Sequence, residues 1–387
     1  MLKKVFIALS LLLCLSNYND VRAQSPVPMK YKVIVADEGN GKVHYINLAN
    51  PTERWSVTTA NRDLQLIGSD RLMVSVGDGY AEYNVKTGTF LKKVTIGSGV
   101  QSVFRLSEKS TFIGSDGSPV SVKEIDSTGK QIRKINFALN ASIRIVRPTT
   151  KGTYLVGGKV AGTMYECDST GAVKWEANAG GEPYMALRLP NGNTLISNGY
   201  GGQMVLVGKD GKIVRQFPAA ADKNGSDFWT KARPNFFAGF QILKNGNIVV
   251  ANWEGHGGGS GNTGYQLIEI DSGLTKVVSY WKQDPAIVSS LHGVLVLDSL
   301  DTKYMYSDVN GVLSIVEPPV SVSYTIRPTG TKNPSLNFSN SYNGNLIFGL
   351  DGREAAIRKR HQVFASGLYV VRKNQGTEVK CLNWRRN

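Results

Sequence analysis

A unit of about forty residues recurs along this chain, and a repeat of that length narrows the choice of fold more than any other feature. Its clearest copy is EPYMALRLPNGNTLISNGYGGQMVLVGKDGKIVRQF, residues 182–217. Tyr184 to Leu189 is apolar and extended, and Pro190-Asn191-Gly192-Asn193 reads as a turn with Gly192 at positive φ. Thr194–Ser197, Gln203–Val207 and Ile213–Phe217 are the next strands, with a second hairpin turn at Lys209-Asp210-Gly211-Lys212. Four such strands cannot bury both sheet faces alone. They need copies of themselves as neighbours.

The copies are present. The second strands align as Val33–Asp37, Leu72–Val76, Thr111–Ser115, Thr153–Gly157, Thr194–Asn198 and Asn247–Asn252. Turns of one kind close the units, among them Asp126-Ser127-Thr128-Gly129, Asp168-Ser169-Thr170-Gly171 and Asp271-Ser272-Gly273. No long amphipathic helical period lies between them, which makes the chain an all-β repeat array. The first copy, from Tyr31, begins with its second strand, and an unpartnered strand follows the sixth at His292–Asp298. Placing that last strand innermost in the first blade closes a ring without exposed edges. The expectation is a six-bladed β-propeller, with seven blades as the alternative if Tyr304–Val316 completes another.

PNGNTLI followed by closing strands such as DSTGAVKWE and KDGKIVRQF resembles the PQQ-like quinoprotein and arylsulfotransferase-type exported β-propeller repeats, over about residues 31–318. The resemblance implies architecture and carries little about activity. A quinone-dependent dehydrogenase of that kind is expected to carry an adjacent Cys pair and a Ca²⁺-binding acidic set, and neither is visible. No cofactor is therefore expected. An arylsulfotransferase needs a catalytic His with anion-holding partners; Arg62, Arg144 and His292 stand near inner-strand starts, without a motif match.

The ends of the chain read differently from its middle. Lys3-Lys4, the apolar run Val5–Leu15 and Val21-Arg22-Ala23 have the pattern of a secretory signal peptide, residues 1–23. Residues 24–318 are then the propeller, and Glu317-Pro318-Pro319 marks the start of a small C-terminal β-sandwich, residues 319–387. Its LDGRE turn, SGLYVVR strand and final VKCLNW strand resemble the C-terminal sorting domain of type IX secretion. That resemblance implies a partner in the secretion machinery and a secreted or outer-cell-surface location. The formal charge is +15, and from Val320 onward eleven Lys or Arg face only three acids. For an exported chain this favours a solvated basic face or an anionic surface polymer over nucleic acid. No transmembrane segment is expected. Only Cys14, Cys167 and Cys381 occur, too few for a disulfide scaffold or a Cys-based zinc site, and whether the last two pair stays open.

Two connections are enlarged: Pro218–Pro234 (PAAADKNGSDFWTKARP) and Asn252–Tyr265 (NWEGHGGGSGNTGY). Propeller topology brings both to one face, where loops on a rigid scaffold carry function. Trp253, Trp229, Phe228, Tyr200 and Tyr184 offer flat apolar surfaces, while Asn252, Glu254, His256 and His292 offer polar contacts. The competing reading makes Trp253 a blade-packing aromatic. The expected function is binding of a glycan or similar polar ligand without catalysis. The alternatives are an enzyme acting on a carbohydrate or a sulfated or aryl substrate through His256, His292 and Glu254, and a protein-interaction scaffold. No metal is assigned.

Overall fold

The computed structural model describes residues 25–299, apart from 60–61, 69, 108–109, 140–142, 150, 159–161, 220, 258, 262 and 283–286. It also describes five C-terminal strands. The expected signal peptide and the Tyr304–Val316 segment lie outside these residues.

Six four-stranded antiparallel units form the ring. After a short strand β1 (Val27–Pro28), blade one holds β2 (Lys32–Asp37), β3 (Lys42–Asn47) and β4 (Arg54–Thr58). Blade two holds β5 (Leu64–Ile67), β6 (Arg71–Val76), β7 (Gly79–Asn84) and β8 (Phe90–Thr95). Blade three is β9 (Val100–Ser107), β10 (Ser110–Ser115), β11 (Ser121–Ile125) and β12 (Gln131–Asn136). Blade four is β13 (Ile143–Pro148), β14 (Tyr154–Gly158), β15 (Thr163–Cys167) and β16 (Val173–Asn178). Blade five is β17 (Met185–Arg188), β18 (Thr194–Ser197), β19 (Met204–Val207) and β20 (Ile213–Phe217). The connection that follows contains two short helices, α1 (Asp222–Gly225) and α2 (Asp227–Ala232), where the sequence suggested only a loop. Blade six is β21 (Phe236–Ile242), β22 (Ile248–Trp253), β23 (Leu267–Ile270) and β24 (Val277–Trp281).

The ring closes as expected. β25 (Leu291–Val296) pairs antiparallel with β2, Val33 opposite Val296 and Val35 opposite Val294, and becomes the inner strand of blade one. A second tie was not anticipated: β1 pairs in parallel with the outer edge of blade six, Val27 opposite Ser279. Six blades therefore complete the circle.

One apolar cluster fills each junction between blades. Phe112, Phe137 and Tyr154, for example, bind blade three to blade four. This is why a strand rich in Val, Ile and Phe on both faces suits a blade: each face meets a neighbouring blade. The turns matter too. Gly171 (φ +88°) and Gly211 (φ +78°) each bring a hairpin of one blade against the outer strand of the blade before, at the Asn136 and Glu176 carbonyls. A side chain at Gly171 would both strain the backbone and run into that carbonyl.

Cys167 is a free, buried thiol, pushed up to about 12 by desolvation and by the charges of Asp168 and Glu166. No helix among the described residues is long and apolar enough to cross a membrane. In the tail, β26 (Leu336–Asn340), β27 (Leu346–Leu350) and β28 (Ala355–Arg358) pair antiparallel, as do β29 (Leu368–Arg372) and β30 (Val379–Asn383). The turns between them lie outside the described residues.

Candidate functional site

The two enlarged connections meet on one face, joined through a single side chain. Asn252 is fully buried at the end of β22. Its Oδ1 accepts from the Asn235 and Phe236 N–H groups at 2.9 and 3.3 Å. Its Nδ2 donates to the Arg233 and Tyr265 carbonyls at 3.2 and 3.0 Å. The Tyr265 N–H adds a bond to the Ala232 carbonyl at 3.0 Å. Both rims are thus parts of one rigid structure, since every amide position of Asn252 is used.

The helical rim folds on itself. Ser226 caps α2 by accepting from the Trp229 N–H at 3.2 Å, and Arg233 ends the helix in the left-handed region at φ 48°. Trp229 is buried against Phe217 and Phe228, and Phe228 packs on Tyr265 and Tyr280. These two rings hold the rim down. Between the rims lies a cleft of about 560 Å³, walled by Trp229, Arg233, Asn235, Glu254 and Thr263. Glu254 is fixed in it, accepting from the Thr263 hydroxyl at 2.7 Å and from the Gly264 N–H.

Toward the axis the rings form a second layer. Trp253 stacks on His292 at 5.3 Å between centroids and meets the His256 ring edgewise at 4.7 Å. His292 in turn stacks against Tyr184 at 5.8 Å. Tyr200 leans on Phe236 and Trp253. Trp253 donates its indole N–H to Glu38 Oε2 at 3.0 Å, and His256 Nδ1 lies 2.7 Å from Glu38 Oε1.

Burial divides the residues that the sequence nominated. Tyr184, Asn252, Trp229, Trp253 and His292 are buried, and Phe228 is half-buried. Tyr200 (59% exposed) and His256 (74% for its side chain) face solvent, with Glu254 between the two groups. The indole of Trp253 touches the rings of both His256 and His292, and His256 Nδ1 meets Glu38. No cluster of three metal-ligating side chains occurs among the described residues.

Burial, with the positive charges of Arg62 and Arg144 and the neighbouring His256, holds the His292 imidazole well below its ordinary range. Burial pushes the Tyr184 phenol up, against the pull of the same two arginines. Arg144 is tied to Glu182, Nη2 to Oε1 at 2.8 Å. Deeper, Asp63 takes Arg147 through two bonds of 2.6 and 2.8 Å and accepts from the Ser102 hydroxyl at 2.8 Å, crossing from blade two to blades three and four. Sequence reasoning missed Glu38, Arg233 and Asn235. Glu38 was within reach, because it follows the second strand of blade one at the position where other copies turn onto this face.

No protein-family profile matches the sequence, and no curated protein matches it. Solved structures do. A protein of unknown function from Bacteroides caccae is 22% identical over 69% of this chain and 98% of its own, with a TM-score of 0.57. A virginiamycin B lyase from Staphylococcus aureus is 11% identical over 67% and 84%, at 0.46. A chain of the nidogen/laminin complex is 11% identical over 68% and 97%, at 0.49. The likeness to the Bacteroides caccae protein, at 22% identity, shows the fold alone and nothing of the activity.

Proposed function

We propose that this chain is an exported propeller that holds a saccharide-like polar ligand, without transforming it, on the face bearing the two enlarged rims. The observation that carries the reading is the rim cleft: about 560 Å³, walled by polar groups already fixed by the fold, within the size range of small-ligand sites. Tyr200 and His256 add exposed rings on the same face, suited to the apolar side of a sugar. The signal-peptide pattern and the sorting-domain resemblance support delivery to the cell surface or medium, with the secretion machinery as the partner of residues 319–387.

One observation favours a catalytic reading instead. His292 is kept neutral by its surroundings, as a general base must be. Its ring, however, is stacked between those of Trp253 and Tyr184, and the His256 beside it is paired with Glu38 rather than with it.

A glycan array probed with the mature chain, followed by calorimetry on the best binder, tests the proposal. Tyr200→Ala is expected to weaken that binder by about tenfold, from a lost ring contact worth roughly 1.4 kcal/mol, with an unchanged melting temperature. Full affinity in Tyr200→Ala together with Arg233→Ala, or product accumulating over time, would sink it.

A further inference from the structure

The rim face holds two polar atoms whose burial calls for a partner. Tyr184 is fully buried and His292 nearly so, yet neither the Tyr184 hydroxyl nor His292 Nδ1 has a hydrogen-bond partner among the described residues. Buried polar groups are almost always paired, and each exception needs a reason. These two share a neighbourhood, since their rings stack with 25° between planes. Both precede or begin inner strands, β17 and β25, and so stand at the rim-side end of the axis.

Two guanidinium groups act on both rings, those of Arg62 and Arg144. Arg144 is neutralised by Glu182, and the deeper Arg147 by Asp63. Arg62 is half-buried and has no hydrogen bond or ion pair with any described side chain. Beside His292 and Arg62, a cavity of about 20 Å³ reaches down to Asp63 and Arg147 between the inner strands. It has room for one water-sized group. An oxygen of a planar carboxylate suits that space better than a tetrahedral sulfate or phosphate. The donors that line it, the Arg62 fork and a neutral imidazole whose Nδ1 bears hydrogen in one tautomer, ask for an acceptor, and the Tyr184 phenol stands beside them, stacked on that imidazole.

We infer that the axial mouth takes the carboxylate of an acidic saccharide, with Arg62 as its charge partner and the Tyr184 hydroxyl and His292 Nδ1–H as flanking donors. This rests on the saccharide reading above and narrows it to glycans that carry uronic acids.

The test uses the mature chain, tetragalacturonate, its methyl ester and sodium acetate, with calorimetry and tryptophan fluorescence as readouts. Trp253, stacked on His292, is the reporter. Tetragalacturonate is expected to bind at least tenfold tighter than the ester, and Arg62→Gln to erase that ratio while leaving ester binding alone. Tyr184→Phe is expected to weaken tetragalacturonate about fivefold without lowering the melting temperature, because it removes an unpaired hydroxyl. A merely structural tyrosine would show the opposite. Equal binding of acid and ester, or a ratio that survives Arg62→Gln, overturns the carboxylate assignment and leaves the saccharide reading standing. An acetate response lost in Arg62→Gln, with no saccharide bound, keeps the carboxylate site and overturns the saccharide reading. No response to acetate or to either saccharide overturns both.

Discussion

Asp37 fastens the closing strand to the first blade. Its carboxylate is fully buried and accepts from the Ser289 and Ser290 N–H groups at 3.0 and 3.1 Å and from the Asn40 N–H at 3.1 Å. His44 Nε2 lies 3.2 Å away, and His44 Nδ1 is 2.7 Å from the Ser56 hydroxyl. Burial alone would raise its pKa, but the His44 ring and the Ser289 and Asn40 N–H groups outweigh that and lower it below the ordinary 3.8. A carboxyl group lowered in the folded state stabilises the fold above its unfolded pKa, and that contribution is lost as pH falls through the folded value. Asp37→Asn is therefore expected to cost about 2 kcal/mol at pH 7. In urea titrations against pH, the gap from the parent should close below about pH 4. A gap independent of pH would show that the carboxylate charge is not what holds the seam. That His44 lies in a strand is local; its Asp37 and Ser56 partners come only with the pairing of three strands.

Among the elements, the hairpin turns and the two rims do different work. The turns repeat because each must fit against the blade before it. Asp168 Oδ1 accepts from the Thr170 and Ala172 N–H groups at 2.8 and 3.1 Å, and Asp126 does the same for Thr128 and Lys130. Each DSTG turn thus builds its own support before Gly171 or Gly129 meets a neighbour. Gly171→Ala is expected to lower stability by about 2 kcal/mol or more, through left-handed strain and the clash with the Asn136 carbonyl. Thermal unfolding would measure it; an unchanged melting temperature would show that the turn does not hold the blades together. The rims are not repeats. Their unusual length was readable, and so was the face they share. Their interlocking through Asn252 was not, because its partners come from two segments separated in sequence, residues 232–236 and Tyr265.

At the scale of the molecule, two ties join the sixth blade to the first: β25 inside, on β2, and β1 outside, on β24. Met29 is buried in the same seam with Val33, Leu267 and Trp281. A Val35→Cys, Val294→Cys pair is expected to cross-link on oxidation, since the two residues are direct partners across the seam. Closing so long a loop should stabilise the ring by a few kcal/mol, roughly 5 at most. Failure to cross-link under conditions where the ring unfolds cooperatively would place β25 elsewhere.

Periodicity, turn chemistry and the missing first strand of the opening copy were enough, read from the sequence, for an all-β ring of six blades closed by its last strand. These are local signals, and each blade states them again. What only the tertiary structure decided is which nominated side chains reach solvent. Tyr184, Trp253 and His292 turned inward as a stack, while Tyr200 and His256 stayed out. An aromatic residue near a blade end reads the same in sequence whether it fills a junction or faces water. The difference lies in the neighbours that ring closure brings to it, and those come from blades far apart along the chain.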